Sequence, residues 1–193
     1  MPDNPRHNPE SDDGSLLRCF VAVDVPEQLK AKILALSSRL ESYGVKIVER
    51  PNLHLTVKFL GNVHQNKLAM VEDRLRTIDF SKFTVRLRSI GVFPNEHFIK
   101  VIWVGGESDE LYTLAKKINS VLFPDFKKEE FTAHLTIARV KRTISKSDLH
   151  RFLEQHKNDN FGDFVCSSFE LKQSKLAQTG PEYRTLAAFE AKS

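Results

Sequence analysis

Two short stretches of this chain carry the same three residues, His54-Leu55-Thr56 and His134-Leu135-Thr136, 80 positions apart, followed by Val57 and Ile137. Side chains alternate between the faces of a strand. In each stretch the histidine and the threonine therefore share one face, while Leu55 and Val57, or Leu135 and Ile137, share the other. Two residues of rise set imidazole and hydroxyl about 7 Å apart at Cα. If the two strands face each other across a pseudo-two-fold axis, two imidazoles and two hydroxyls surround one small site. Imidazole titrates near neutral pH, so one histidine can take a proton while its twin gives one. Two hydroxyls suit an anion held between them. The substrate that matches this set is a phosphodiester: one histidine activates the attacking oxygen, the other protonates the departing one, and the threonines hold the non-bridging oxygens. The residues alone do not say which histidine does which.

Metal binding is the competing use of paired histidines. It needs three or four ligands, and neither stretch has Asp, Glu or Cys beside its histidine, so neither metal nor cofactor is expected. A lone histidine on a strand is ordinarily a solvated or hydrogen-bonded surface residue. Twinning is what separates His54 and His134 from His7, His64, His97, His150 and His156, which lack a twin with a partnering threonine.

Elements of matching order stand around the two stretches. LLRCFVAVDV at 16–25 reads as a strand, and Leu29, Ile33, Leu36, Leu40 and Tyr43 follow helical spacing between Pro26, suited to a first turn, and Gly44, suited to a C-terminal cap. NLHLTVKFLG is a strand, and an amphipathic helix is expected over 65–78. Strands at 82–92 and 98–104, joined through Pro94 and Asn95, make a hairpin or meander. A helix over 108–122, a strand over 131–140, a helix over 147–157 and strands over 164–172 and 183–189 complete the chain. An offset of 80 also pairs Val21 with Val101 and Val85 with Val165. This is an internal duplication in which each copy runs strand, helix, HLT strand, helix, strand.

The 193 residues, 40% hydrophobic and 28% charged, have ordinary globular composition and exclude collagen-like and wholly disordered chains. No apolar run nears the length of about 18 residues of a membrane helix, and the N-terminus lacks the order of a secretory signal. A soluble cytoplasmic protein is expected, with no membrane association. Residues 1–15 hold Pro2, Pro5 and Pro9, four acidic residues and only Arg6 as a base, and read as a disordered tail before one bilobal domain over 16–193. Without the tail 28 basic residues face 21 acidic ones, a charge of +7, which suits an anionic partner or plain solubility. Cys19 and Cys166 are far apart and set among apolar residues, so buried thiols rather than a disulfide or a nucleophile are expected.

HLTVKFLG and HLTIARV resemble the paired H-x-[ST]-x signatures of the 2H phosphoesterases, and the surrounding text resembles the RNA 2′,3′-cyclic phosphodiesterase (2′-5′ RNA ligase) branch. RCFVAVDVPE near the start, GVFPN at 91–95, VIWVG at 101–105 and LKQSKLAQTGPEYRTLAAFE at the end support the resemblance, which runs from Leu16 to the C-terminus. It departs at Ala133, where many members have proline, and at Arg50, where an aromatic is frequent. Neither touches the H-x-T-x residues. The resemblance implies an α+β, bilobal duplicated fold, with two antiparallel sheets facing across a central cleft and helices on the outer faces. It also implies metal-free opening of 2′,3′-cyclic phosphate ends of RNA or nucleotides to 2′-phosphomonoesters. Carried over, His54 gives a proton to the 3′-oxygen, His134 activates water, and Thr56 and Thr136 bind phosphate oxygens. No obligate protein partner is evident and a monomer is expected.

Four further residues have two readings each. Lys58 shares the parity of His54, which offers it a phosphate contact or simple solvation. Arg139 resembles the Arg of the family's HLTxAR stretch, yet strict alternation turns it toward the core unless the strand ends or bulges before it. Phe59 packs in the core or lines a base-stacking surface, with the core favoured, and Tyr183 packs or reaches the cleft. Two activities compete with hydrolysis: ligation to a 2′-5′ linkage at the same site, and RNA binding without catalysis. Water at about 55 M favours hydrolysis over ligation in an open cleft, and two intact imidazoles argue against a pure binder.

Overall fold

The computed structural model describes residues 15–141, 145–178 and 180–192. The expected acidic tail, but for Ser15, lies outside the described residues.

The first strand, β1 (Leu16–Asp24), is buried from Cys19 through Val23, because strands flank it on both sides and its middle is covered on both faces. Helix α1 (Glu27–Ser37) starts at Pro26, whose carbonyl accepts from the Leu29 and Lys30 amides, and buries Leu29, Ile33 and Leu36. The helical spacing continues to Tyr43, but residues 38–43 form a tighter 3₁₀ turn. Ser37 and Ser38 return their hydroxyls to the Leu34 and Ala35 carbonyls, which competes with regular helix at that point. Gly44 ends the turn at φ +79°, a conformation that costs glycine nothing.

A short strand not anticipated from sequence, β2 (Val45–Ile47), comes next, then β3 (His54–His64), α2 (Leu68–Arg76), β4 (Phe83–Asn95) and β5 (Phe98–Glu107). Helix α3 (Asp109–Leu122) is capped by the Ser108 hydroxyl, which accepts from the Leu111 amide. Beyond it lie β6 (His134–Val140) and α4 (Lys146–His156), capped in the same way by Ser145. The chain closes with β7 (Asn160–Cys166), β8 (Ser168–Leu176) and β9 (Pro181–Glu190). The single strand expected over 164–172 is thus two strands that part at Ser167.

The sheet runs β7-β4-β5-β6-β3-β1-β8-β9, antiparallel throughout, with β2 pairing on β6. Apart from β2 it consists of two four-stranded halves, and the β3–β6 junction between them rests on one residue pair, Leu55 opposite Leu135. Duplicated copies and sheet halves do not coincide. Strand β4 of the first copy lies between β5 and β7, while β8 and β9 return to the half that holds β1 and β3. Val85 and Val165, matched by the offset of 80, accordingly sit on adjacent strands of one half rather than at symmetric places. The helices interlock the halves as well: α1 leaves β1 and packs against β6 and β7, and α3 leaves β5 and packs against β3 and β4. Cys19 and Cys166 are buried free thiols, pushed up to about 11 by desolvation and so unreactive at neutral pH. Among the described residues no helix is long and apolar enough to cross a membrane.

Candidate active site

The Leu55–Leu135 pair organises the site. Both leucines are fully buried, which turns His54, Thr56, His134 and Thr136 together onto the opposite face, where all four are half-buried. In an antiparallel pair, the register brings Thr56 toward His134 and His54 toward Thr136. The expected juxtaposition of the two H-x-T sets is present.

Both strands then break their alternation at matching positions. Against β1, Lys58 pairs with Val21 and Thr56 with Ala22, leaving Val57 as an extra residue; against β5, Ala138 pairs with Ile102 and Thr136 with Trp103, leaving Ile137 extra. Each β-bulge turns two successive residues inward, Val57 with Lys58 and Ile137 with Ala138, and reverses the parity of the residues beyond it. Three expectations are resolved by these bulges. Lys58 does not share the face of His54: it is 3% exposed, and its Nζ donates to Asn119 Oδ1 (2.7 Å) and to the Lys127 carbonyl (2.6 Å). Phe59, favoured as core, is 57% exposed and lies on the histidine face beside Phe20, ring centres 6.3 Å apart. Arg139, the residue equivalent to Phe59 in the second copy, is exposed on the same face as His134 and Thr136.

Aromatic rings hold each imidazole. Phe20 stacks on His54 at 5.0 Å, and Tyr183 meets both edge-on, at 5.2 Å from His54 and 4.9 Å from Phe20. Phe93 meets His134 edge-on at 4.9 Å and Trp103 lies behind at 6.4 Å. Trp103 in turn lies flat over Gly91, its cross-strand partner; a Cβ at Gly91 would fall 2.1 Å from the indole. The GVFPN and VIWVG stretches are therefore two sides of one structure, with glycine serving a close approach. Tyr183 reaches the site rather than packing away from it.

The ring nitrogens are deployed alike. His134 donates Nδ1–H to the Thr132 carbonyl at 2.7 Å, so a neutral His134 keeps its lone pair on Nε2. His54 places Nε2 3.0 Å from the Thr56 hydroxyl and is hydrogen-bonded to the Asn52 backbone, the position equivalent to Thr132. Burial first, then the nearby Lys172 ammonium, pull His54 down to about 4, while Asp24 and the Asn52 backbone oppose the shift. Lys172 forms an ion pair with Glu170, and the Thr185 hydroxyl, within 3.1 Å of each, bridges the two. Burial raises the Tyr183 phenol, and the Arg139 and Arg18 guanidiniums partly offset this, which puts both cations near the phenol oxygen. Phe20, Phe93, Trp103 and Lys172 are not marked out for the site by the sequence. The twinned motif points to the histidines, but the second layer lies on strands distant in the chain. Among the described residues no three His, Cys, Asp or Glu side chains form a group able to hold a metal ion.

The two H-x-T strands thus meet at the seam of one antiparallel sheet, and the family to which the chain belongs is shown by its relatives. Residues 23–103 match the family model described as LigT like phosphoesterase. The RNA 2′,3′-cyclic phosphodiesterase of Methanocaldococcus jannaschii is 37% identical over 172 residues, covering 88% of this chain and 98% of that protein. The protein of the same name from Archaeoglobus fulgidus is 38% identical over 178 residues, covering 90% and 100%. The chain belongs to the LigT-like phosphoesterase family. Among solved structures, TT0787 of Thermus thermophilus superposes with a TM-score of 0.77 at 26% identity, covering 90% of this chain and 97% of that one. E. coli LigT complexed with 3′-AMP shares the fold, with a TM-score of 0.76 at 22% identity and coverage of 93% and 100%.

Proposed function

We propose that this protein hydrolyses 2′,3′-cyclic phosphate ends of RNA or nucleotides to 2′-phosphomonoesters, by two-histidine general acid–base catalysis without a metal ion. The observation that carries the reading is the seam: one leucine pair turns two complete H-x-T sets onto a single face, each with its histidine braced by the backbone two residues upstream. His134, with its Nε2 lone pair free, takes a proton from water, whose oxygen attacks phosphorus. The P–O3′ bond breaks, and His54 gives its Nε2 proton to the departing 3′-oxygen, leaving a 3′-hydroxyl and a 2′-phosphate. Thr56, Thr136 and Arg139 meet the non-bridging oxygens as charge builds on them. Because His54 is neutral in the free protein, it takes up its proton from solvent as the anionic substrate binds. The two H-x-T sets come from one chain, in keeping with a monomer, and the cytoplasm is the compartment proposed for it.

The test is turnover of a 2′,3′-cyclic mononucleotide and of cyclic-ended RNA in excess EDTA, with the product regiochemistry read out. Replacing either His54 or His134 by Ala should lower the rate by about 10² to 10⁴. Undiminished activity in both single variants, or activity abolished by EDTA and restored by a divalent cation, would overturn the reading. Offering RNA with a 5′-hydroxyl in the same reaction separates joining from hydrolysis, and hydrolysis is expected to dominate.

A further inference from the structure

Lys58 is a buried ammonium whose hydrogen bonds go to neutral groups, Asn119 Oδ1 and the Lys127 carbonyl; the Glu129 carboxylate attracts it without offsetting the cost of burial. Its partner Asn119 is also buried and uses both ends of its amide. Nδ2 donates to the Ala115 carbonyl (3.1 Å) and the Glu129 carbonyl (3.3 Å), and Oδ1 accepts from Lys58 and from the Glu129 amide (3.3 Å). Two side chains thereby fix the backbone at residues 127 and 129, within a segment from 127 to 133 that has neither helix nor strand of its own. Farther along, Phe131 packs edge-on against Tyr112 (5.2 Å) and the Ala133 carbonyl accepts from the Gly106 amide (3.0 Å). Between those anchors lies Thr132, whose carbonyl accepts the Nδ1 proton of His134.

The first copy needs no such device. There the equivalent residue, Asn52, belongs to a 3₁₀ turn closed by the Asn52 amide on the Glu49 carbonyl (2.8 Å), and the Asn52 side chain donates to the Pro181 carbonyl (2.9 Å). The position equivalent to Lys58 in the second copy is Ala138. A long donor is present only where the backbone that orients a histidine lies in irregular chain.

We propose that Lys58 is a positioning residue for His134: working through Asn119 and the 127–133 segment, it holds the Thr132 carbonyl where that carbonyl fixes the imidazole tautomer. Lys58 touches no reacting atom. The strand that carries one histidine thus sets the orientation of the other. The kinetic part of this inference rests on the proposed function, whereas the tautomer part does not.

The experiment compares wild type, Lys58→Met and Lys58→Arg by ¹H–¹⁵N correlation spectra of the histidine rings, with steady-state kinetics on a 2′,3′-cyclic nucleotide alongside. In wild type, neutral His134 should be the Nδ1–H tautomer. In Lys58→Met that preference should be lost, with the His54 signals unchanged, and kcat should fall about 10- to 100-fold, the scale of a misplaced catalytic group, while KM stays within about twofold. Lys58→Arg, which keeps donors at this place, should recover the tautomer in part. An unchanged His134 tautomer in Lys58→Met, or a loss confined to KM and inorganic phosphate affinity, would overturn the proposal. A wild-type His134 in the other tautomer would overturn it too, whether or not the variants fold. Wild type inert toward cyclic phosphates would sink the functional reading and leave the tautomer comparison standing.

Discussion

Filling the site with an anion should move the proton equilibrium of His54 by about three pH units. In the free protein burial and the Lys172 ammonium hold the ring near 4, so it is neutral at pH 7. A phosphate oxygen carrying one negative charge about 4 Å from the ring, at an effective dielectric of about 20, favours the imidazolium by about 4 kcal/mol. One pKa unit corresponds to about 1.36 kcal/mol, so the occupied site should titrate near about 7. The assay is a pH titration of the His54 ring signals, free and then saturated with inorganic phosphate or a nucleoside 2′-monophosphate. Binding calorimetry in buffers of different ionisation enthalpy supplies a second measure. Between pH 7 and 4 the complex carries a proton on His54 that the free protein lacks, so binding should take up one proton at this residue. Anion affinity should rise correspondingly as pH falls through that window, after allowance for the ligand's own titration. If His54 titrates near the ordinary histidine range when free, burial does not act as described. If it stays neutral with the anion bound, it cannot be the acid, and the assignment of roles to the two histidines fails.

The same depressed pKa has a stability consequence with a definite sign. The unfolded chain protonates His54 near 6.5 and the folded chain only near 4, so the stabilising contribution is fully present above 6.5 and is lost as pH falls to 4. The loss is on the order of 3 kcal/mol, and denaturant melts of wild type against His54→Gln should show it. Gly91→Ala places a methyl in the Trp103 ring and should lift the indole from its place behind Phe93 and His134; as Trp103 is the only tryptophan, a shift in its emission together with reduced kcat checks this. Phe59→Ala should raise KM for cyclic nucleotides about 5- to 150-fold if the exposed ring stacks on a base, since such stacking is worth about 1–3 kcal/mol. A cyclic phosphate without a base should then show no change, and equal effects on both substrates would refute the stacking role.

Most of the element order is legible in the sequence, because long amphipathic segments announce themselves through period and end signals: Pro26 before α1, Gly44 after the 3₁₀ turn. The twinned motif similarly suffices to single out His54, Thr56, His134 and Thr136. Alternation fails two residues beyond each threonine. A bulge is one extra residue whose presence depends on the register of the neighbouring strand, and nothing in VKF or IAR encodes it locally, so simple parity puts Lys58 and Phe59 on the wrong faces. The break at Ser167 is hidden for a related reason. Cys166 and Phe169 are both buried on strands of opposite halves, and the Ser167-Ser168 pair between them carries no glycine or proline to mark a break. The aromatic supports of the histidines come from β1, β4, β5 and β9, and only the fold gathers them.

The exchange of strands between the two halves bears on how such a chain can arise and fold. A single copy of the repeat, ending with β4, would hold a strand whose neighbours, β5 and β7, both belong to the other copy. Alone it would expose unpaired edges that invite pairing with another chain. Two such pieces could satisfy each other only by trading β4, so the simplest half-length ancestor this topology allows is a strand-swapped dimer, later fused at what is now the β4–β5 hairpin. For the present chain, the half-sheet begun by β1 waits for β8 and β9, the last strands in the sequence. Its folding should therefore be a single cooperative event that emerging chain cannot complete early, and fragments cut within the 95–98 turn should gain structure only when mixed.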